Sequence, residues 1–258
     1  MTDRDIIRIE GVTKDFGGLR ALNDISFGVK RGEIKAIIGP NGAGKTTLFN
    51  VITGVFPSTL GKVYFKDKDI TDRASHAIAS LGVSRTFQNV RLFTFKKMTV
   101  LQNVLIGGHR MMNSGVLSAA LWLPRVRRED EIFKEKALEA LDFVGLKENS
   151  SRVATSIPFG QQRLLEISRA LMLSPEVMLI DEPAAGLNDS EIKNLIAVLM
   201  RIREKGITIL LIEHHMGLVM SISDEVVVLN FGQLIAQGTP IDIQNDAKVV
   251  AAYLGKET

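Results

Sequence analysis

The sequence predicts an α/β protein with a mainly parallel sheet, an N-terminal antiparallel β subdomain and an inserted helical subdomain, and three observations carry that expectation. Short β-branched runs at residues 36–38, 177–180, 207–212 and 226–229 are apolar at consecutive positions, as strands covered on both faces of a parallel sheet are. In the first 70 or so residues, the runs 6–10, 21–29 and 62–66 instead alternate apolar and polar side chains between glycine turns, the pattern of half-exposed antiparallel strands. Residues 89–160 show helical periodicity, with Ile132, Ala137, Leu138, Leu141 and Val144 on one face, and no convincing strand.

A chain of 258 residues is long enough for one large α/β domain, or for a core with a smaller inserted subdomain. Hydrophobic residues at 45% and charged residues at 24% exclude a disordered or fibrous chain. The net charge of +3, from 32 basic and 29 acidic residues, is too small and too evenly spread to make a nucleic-acid surface. Arg125, Arg127 and Arg128 run straight into Glu129, Asp130 and Glu131 and read as a solvated helix face. The absence of cysteine excludes disulfides, Cys-ligated metals and thiol catalysis. Residues 1–10 lack the apolar core of a secretory signal. The best apolar window, 116–123, is far short of the roughly 18 residues of a membrane span. Any membrane part is expected from another chain.

Chemistry enters directly after the apolar run that ends at Ile38. Gly39-Pro40-Asn41-Gly42-Ala43-Gly44-Lys45-Thr46 leads into a helix through Thr47, Leu48 and Val51, the strand–loop–helix placement of a phosphate-binding P-loop. Its glycines let backbone N–H groups turn inward around phosphate oxygens, and the positive helix end adds its dipole. Lys45 is expected to reach the β- and γ-phosphates as a point charge, and Thr46 to place its hydroxyl on Mg²⁺. Downstream, the strand 177–180 ends in Asp181 and Glu182 at its C-terminal edge, where open α/β sheets bind ligands. Asp181 suits the Mg²⁺ shell, and Glu182 can polarise a water in line with the γ-phosphate. The next helix carries the stripe Leu195, Ile196, Leu199 and Ile202, with Asn188 and Glu191 as a capping pair in front and Gly206 as a stop behind. The residues thus imply a P-loop NTPase core.

The absence of a guanine-reading Asn-Lys-x-Asp motif weakens a GTPase reading. Ile157-Pro158-Phe159-Gly160-Gln161-Gln162-Arg163, opening a helix over 164–173 that stops at Pro175, resembles the signature motif of ABC ATPases. By that resemblance two copies close head to tail around two ATP molecules, with Gly160 and Gln161 of one facing the P-loop of the other. Over nearly the whole chain the resemblance implies further roles. Phe16 falls where an aromatic stacks on adenine, Gln88 where the Q-loop glutamine meets Mg²⁺ and water, and His214 where the switch histidine meets the γ-phosphate. His215 reads as incidental. The family's organisation implies an ATP-binding core with the antiparallel subdomain at 1–88 and 161–235, a helical subdomain with the signature at 89–160, and a C-terminal tail at 236–258.

Within the family, the runs 17–22, 85–93 and 98–104 and the extended helical insert around 107–131 are similar to the longer of the two ATPases of branched-chain amino acid importers. This implies an ATPase with ATP and Mg²⁺ as ligands, transmembrane permease subunits and a second ATPase subunit as partners, and a peripheral place on the cytoplasmic face of the cell membrane. Residues 88–93 are the expected coupling surface. A lipopolysaccharide-exporter ATPase and a soluble ABC protein acting in DNA repair or on the ribosome remain as alternatives. The stretch from Lys45 to Gly160 is too short for a repair ATPase's coiled coils. Two departures stand out. Pro158 and Phe159 occupy the positions of the signature's serine and glycine, so that a hydroxyl and a backbone N–H are missing, and Asn188 stands where aspartate is common.

Overall fold

The computed structural model describes residues 5–86, 88, 92–108 and 124–254. The chain begins β1 (Asp5–Phe16), β2 (Leu19–Lys30), β3 (Ile34–Ile38), α1 (Lys45–Ile52), β4 (Leu60–Phe65), β5 (Lys68–Asp69), α2 (Ser75–Ser80) and β6 (Val83–Arg85). There follow α3 (Val100–Gly108), α4 (Pro124–Phe143), α5 (Phe159–Leu171), β7 (Val177–Asp181), α6 (Asp189–Glu204) and β8 (Thr208–Ile212). The last elements are α7 (Met216–Ile222), β9 (Glu225–Asn230), β10 (Gln233–Gly238), α8 (Pro240–Gln244) and α9 (Ala247–Leu254). Over their described residues, Met1–Arg85, Glu176–Ala185 and Leu199–Thr258 form one compact unit, and Thr86–Pro175 and Gly186–Val198 form a second.

The first unit holds two sheets. One is antiparallel with order β2-β1-β4-β5, in which Ile9 stands opposite Phe27 on one side and Val63 on the other. The other has order β10-β9-β3-β8-β7-β6 and is parallel except where β10 pairs with β9. Every residue of β3, β7 and β8 is buried, which is why residues 36–38, 177–180 and 209–212 are apolar at consecutive positions, while the buried Lys35 of β3 pairs with Glu33 and Glu225. Side chains alternate across the sheet. Ile37, Leu210 and Val227 join a core cluster with Leu48, Phe49 and Ile52 of α1 and with Ile9 and Leu22 of the antiparallel sheet. Ala36, Ile38, Val226 and Val228 cluster instead with Val219 of α7, Ile243 of α8 and Val249 of α9. Burial of each large α1 side chain contributes about 1.5–3 kcal/mol, so the helix that begins the phosphate site is fixed by core packing.

The second unit packs α3, α4 and α5 together. Its glycines allow the close approach: a Cβ on Gly107 would lie 2.6 Å from the Arg169 carbonyl oxygen, and one on Gly108 would lie 2.7 Å from the Phe133 ring. Asn103 accepts a hydrogen bond from the Phe93 amide at 2.8 Å and donates to the Phe93 carbonyl at 3.1 Å, which ties the segment before α3 to that helix.

Several expectations shift. Ile132 is 46% exposed, and the buried stripe of α4 is Phe133, Ala137 and Leu141, followed by Val144 just past the helix, one residue out of phase at its start. The signature helix begins at Phe159 instead of 164, because Pro158 at the N-cap (φ −54°, ψ 153°) turns the chain directly into it. It ends at Leu171, and Ser174, at φ 47°, reverses the chain before Pro175. β6 was not expected; three residues are too few for a periodicity to show. Residues 236–254, expected as a tail, hold the end of β10, α8 and α9, and α5 falls in the second unit with α3 and α4. The anticipated apolar window at 116–123, most of the insert over 107–131, and residues 89–91 of the coupling segment lie outside the described residues, as do the side chains of Arg125, Arg127 and Arg128. Among the described residues no helix is long and apolar enough to cross a membrane.

Candidate nucleotide site

The loop at residues 39–44 leaves the buried end of β3 and becomes α1 at Gly44, whose φ of 99° marks the cap. The first intrahelical bond runs from the Leu48 N–H to the Gly44 carbonyl at 2.9 Å. The N–H groups of Lys45, Thr46 and Thr47 therefore have no carbonyl partner within the helix, and with the helix dipole they favour an anion. Two glycines are needed for different reasons. A Cβ on Gly39 would lie 2.0 Å from the Leu229 carbonyl oxygen of β9, whereas Gly42 has open space but a φ of 80°.

Lys45 is 5% exposed. Its ammonium donates to the carbonyls of Gly39 at 2.7 Å and Pro40 at 2.9 Å, so the loop's own oxygens hold the charge. Burial lowers its pKa from the ordinary lysine value, and the charges of Glu182 and Asp181 oppose that shift. Those carboxylates close β7. Asp181 is 1% exposed and pairs with the Arg85 guanidinium at 3.0 Å. Arg85 also donates to the Asn50 side chain at 2.7 Å and to Thr53 at 3.2 Å, both on the helix of the phosphate loop or its cap. Burial raises the Asp181 pKa and lowers that of Arg85, and their mutual bond partly offsets both shifts.

Glu182 adopts φ 47°, and its N–H bonds to the Ile212 carbonyl at 2.8 Å, which carries the β7–β8 pairing one residue past the strand. The turn brings its Oε1 within 2.9 Å of Nε2 of His214. His215 is not incidental: its Nδ1 accepts from the Leu218 N–H at 3.0 Å and caps α7, which leaves its ring proton on Nε2. Phe16 ends β1, half exposed, edge-on to Phe56 with ring centroids 5.3 Å apart. Asp181 and the exposed Thr46 hydroxyl are hard oxygen donors of the kind that hold Mg²⁺ together with phosphate oxygens. The donor chemistry therefore fits a magnesium nucleotide.

Gln88, Gly160 and Gln161 belong to the second unit. Gln88 is exposed. The first bond of α5 runs from the Gln162 N–H to the Pro158 carbonyl at 3.0 Å, so the amides of Phe159, Gly160 and Gln161 are the ones the helix does not use. Pro158 removes both hydroxyl and amide, whereas Phe159 keeps its N–H. A Cβ on Gly160 would lie 2.4 Å from Glu191 Oε1, and the Gln161 side chain accepts from Asn149 at 3.1 Å. Asn188 accepts from the Ser190 and Glu191 amides, each at 3.0 Å, while Glu191 accepts from the Asn188 N–H at 3.0 Å. The expected capping pair is thus a reciprocal box.

Two residues around the site were missed. They are Arg85, which the run 85–93 contains without a role of its own, and Glu213, which no motif marks. The available signal was their position: a charged residue at the end of a strand otherwise buried has to find a partner.

The family model described as "ABC transporter" matches residues 22–185, and one described as "Branched-chain amino acid ATP-binding cassette transporter" matches residues 233–258. The chain is 44% identical to the high-affinity branched-chain amino acid transport ATP-binding protein BraF of Pseudomonas aeruginosa, over 98% of this chain and 99% of that one. It is 42% identical to the corresponding protein LivG of Escherichia coli, over 97% and 98%. A nucleotide-free ATP-binding cassette from an ABC transporter superposes with a TM-score of 0.85 at 36% identity, covering 98% of this chain and all (100%) of that one. With that fold, the glycine loop, its buried lysine and the paired carboxylates in place, the chain belongs to the ABC transporter family as an ATP-binding cassette.

Proposed function

We propose that this cassette binds MgATP on the loop at residues 39–47 and hydrolyses it to power import of branched-chain amino acids through partner membrane subunits. The observation that carries the hydrolytic part is the Glu182–His214 pair, 2.9 Å apart, beside the electrostatically linked Lys45 and Asp181. The cargo is supported by the printed functions of BraF and LivG and by the match over residues 233–258.

The loop amides and Lys45 bind the phosphates, and Phe16 offers its ring to the adenine. Thr46, Asp181 and Gln88 hold Mg²⁺, which when bound neutralises charge on the phosphate oxygens. Glu182 accepts a proton from the attacking water, and His214 orients Glu182 and meets the γ-phosphate. Gly160 and Gln161 present their amides to the γ-phosphate of a second ATPase copy across a head-to-tail dimer; a helix N-terminus aimed at an anion is favourable. Residues 88–93 transmit closure to the permease, and the chain sits on the cytoplasmic face of the membrane.

The test is reconstitution with co-purified membrane subunits in vesicles. Leucine uptake that needs ATP on the cassette's side supports the proposal. ATPase activity strongly stimulated by DNA or ribosomes, with no permease recovered, contradicts it.

A further inference from the structure

Glu213 follows the last residue of β8, and its side chain is 2% exposed. A buried carboxylate carries a desolvation cost that has to be met by donors. Here the donors are backbone amides from two separate segments. Oε1 accepts from the Ala184 N–H at 2.7 Å, two residues beyond Glu182. Oε2 accepts from the His214 N–H at 2.8 Å and the His215 N–H at 3.0 Å. One side chain therefore staples the turn carrying Glu182 to the turn carrying His214, the two groups that meet at 2.9 Å.

We infer that Glu213 is a positioning residue for hydrolysis: it fixes the distance and angle between Glu182 and His214 by bridging their backbones, without touching nucleotide. The inference rests on the proposed roles of Glu182 and His214. Only an acceptor at both ends satisfies the geometry. A glutamine in its place would present its NH₂ to one of the two sets of N–H donors, so Glu213→Gln keeps size and burial but breaks one side of the staple. A general base displaced by a fraction of an ångström loses in-line geometry, whereas the phosphate loop, to which none of the Glu213 hydrogen bonds runs, keeps its grip on ATP.

The experiment compares steady-state ATPase kinetics of the full chain with those of Glu213→Gln, Glu213→Asp, Glu182→Gln and His214→Ala, and of the double variant Glu213→Gln/His214→Ala. Glu213→Gln is expected to lower kcat by about tenfold or more, about 1.4 kcal/mol in the barrier, and to leave KM for ATP within about twofold. In the His214→Ala background it is expected to add no further loss, because it acts through the pair already broken. Amide exchange is expected to quicken at Ala184 and His214 and to stay unchanged within β7 and β8. Glu213→Asp, too short to reach both segments, is read in the same way should the glutamine variant not fold. Wild-type kcat in the Glu213 variants, while Glu182→Gln and His214→Ala are impaired, overturns this inference alone. Losses that multiply in the double variant, or exchange that quickens throughout both strands, also overturn it in favour of a general structural role. Wild-type turnover in both Glu182→Gln and His214→Ala overturns the proposed roles and this inference with them.

Discussion

Replacing Arg85 with methionine removes one partner of a buried ion pair and keeps the apolar stem. The Arg85 and Asp181 side chains are 7% and 1% exposed, so no water replaces the lost guanidinium. Breaking such a pair costs about 3–5 kcal/mol, because the buried carboxylate loses the guanidinium bonded directly to it. For a chain of this size each kcal/mol moves the melting temperature by about 2–4 °C, so Arg85→Met is expected to lower it by roughly 6–20 °C. Adding Asp181→Asn removes the buried negative charge, and the double variant is expected to recover most of the loss. A pH dependence follows. Burial already holds the Asp181 carboxyl above its ordinary value, and Arg85 supplies the main opposing influence, so the variant's carboxyl lies higher still. The unfolded chain then releases this proton first, and stability falls as pH rises through the raised value. The deficit is therefore smaller near pH 5 than near pH 8. Urea denaturation followed by circular dichroism at both values, for both variants, is the assay. A deficit below about 1 kcal/mol, or a double variant no better than the single, refutes the reasoning.

Burial lowers the Lys45 pKa, so ATP affinity is expected to fall on raising the pH before an ordinary lysine would titrate, while Lys45→Arg stays level across the same range; fluorescence titration from about pH 7 to 10 reads both. Asn188→Ala breaks the reciprocal cap of α6 and is expected to cost about 1 kcal/mol in thermal denaturation; no change in stability would assign the cap no weight.

The parallel strands are legible because burial on both faces favours consecutive apolar residues, as residues 36–38, 177–180 and 209–212 of β3, β7 and β8 show. The phosphate loop was legible for a related reason: Gly39 and Gly42 are demanded by local backbone geometry, which a sequence motif records directly. The α6 cap was readable because both of its partners lie within one turn. What escaped depends on contacts made at a distance along the chain. Arg85 meets Asp181 ninety-six positions away, and Glu213 meets Ala184 twenty-nine away, pairings that no local pattern announces. His215 was misread although its contact is local, because histidine is an uncommon cap beside the stronger acceptors Ser, Thr, Asp and Asn. The phase error at Ile132 arose because two adjacent apolar residues, Ile132 and Phe133, both fit a helical stripe when read alone.

In the proposed function the loop and Lys45 hold ATP while Glu182 activates the water. Its most direct test is ATP affinity and turnover measured side by side in Lys45→Ala and Glu182→Gln. Lys45→Ala is expected to lose affinity. Glu182→Gln is expected to bind as the wild type does, accumulate as an ATP-bound dimer, and turn over about 100-fold more slowly or worse. Turnover at the wild-type rate in Glu182→Gln, or undiminished affinity in Lys45→Ala, would contradict the account.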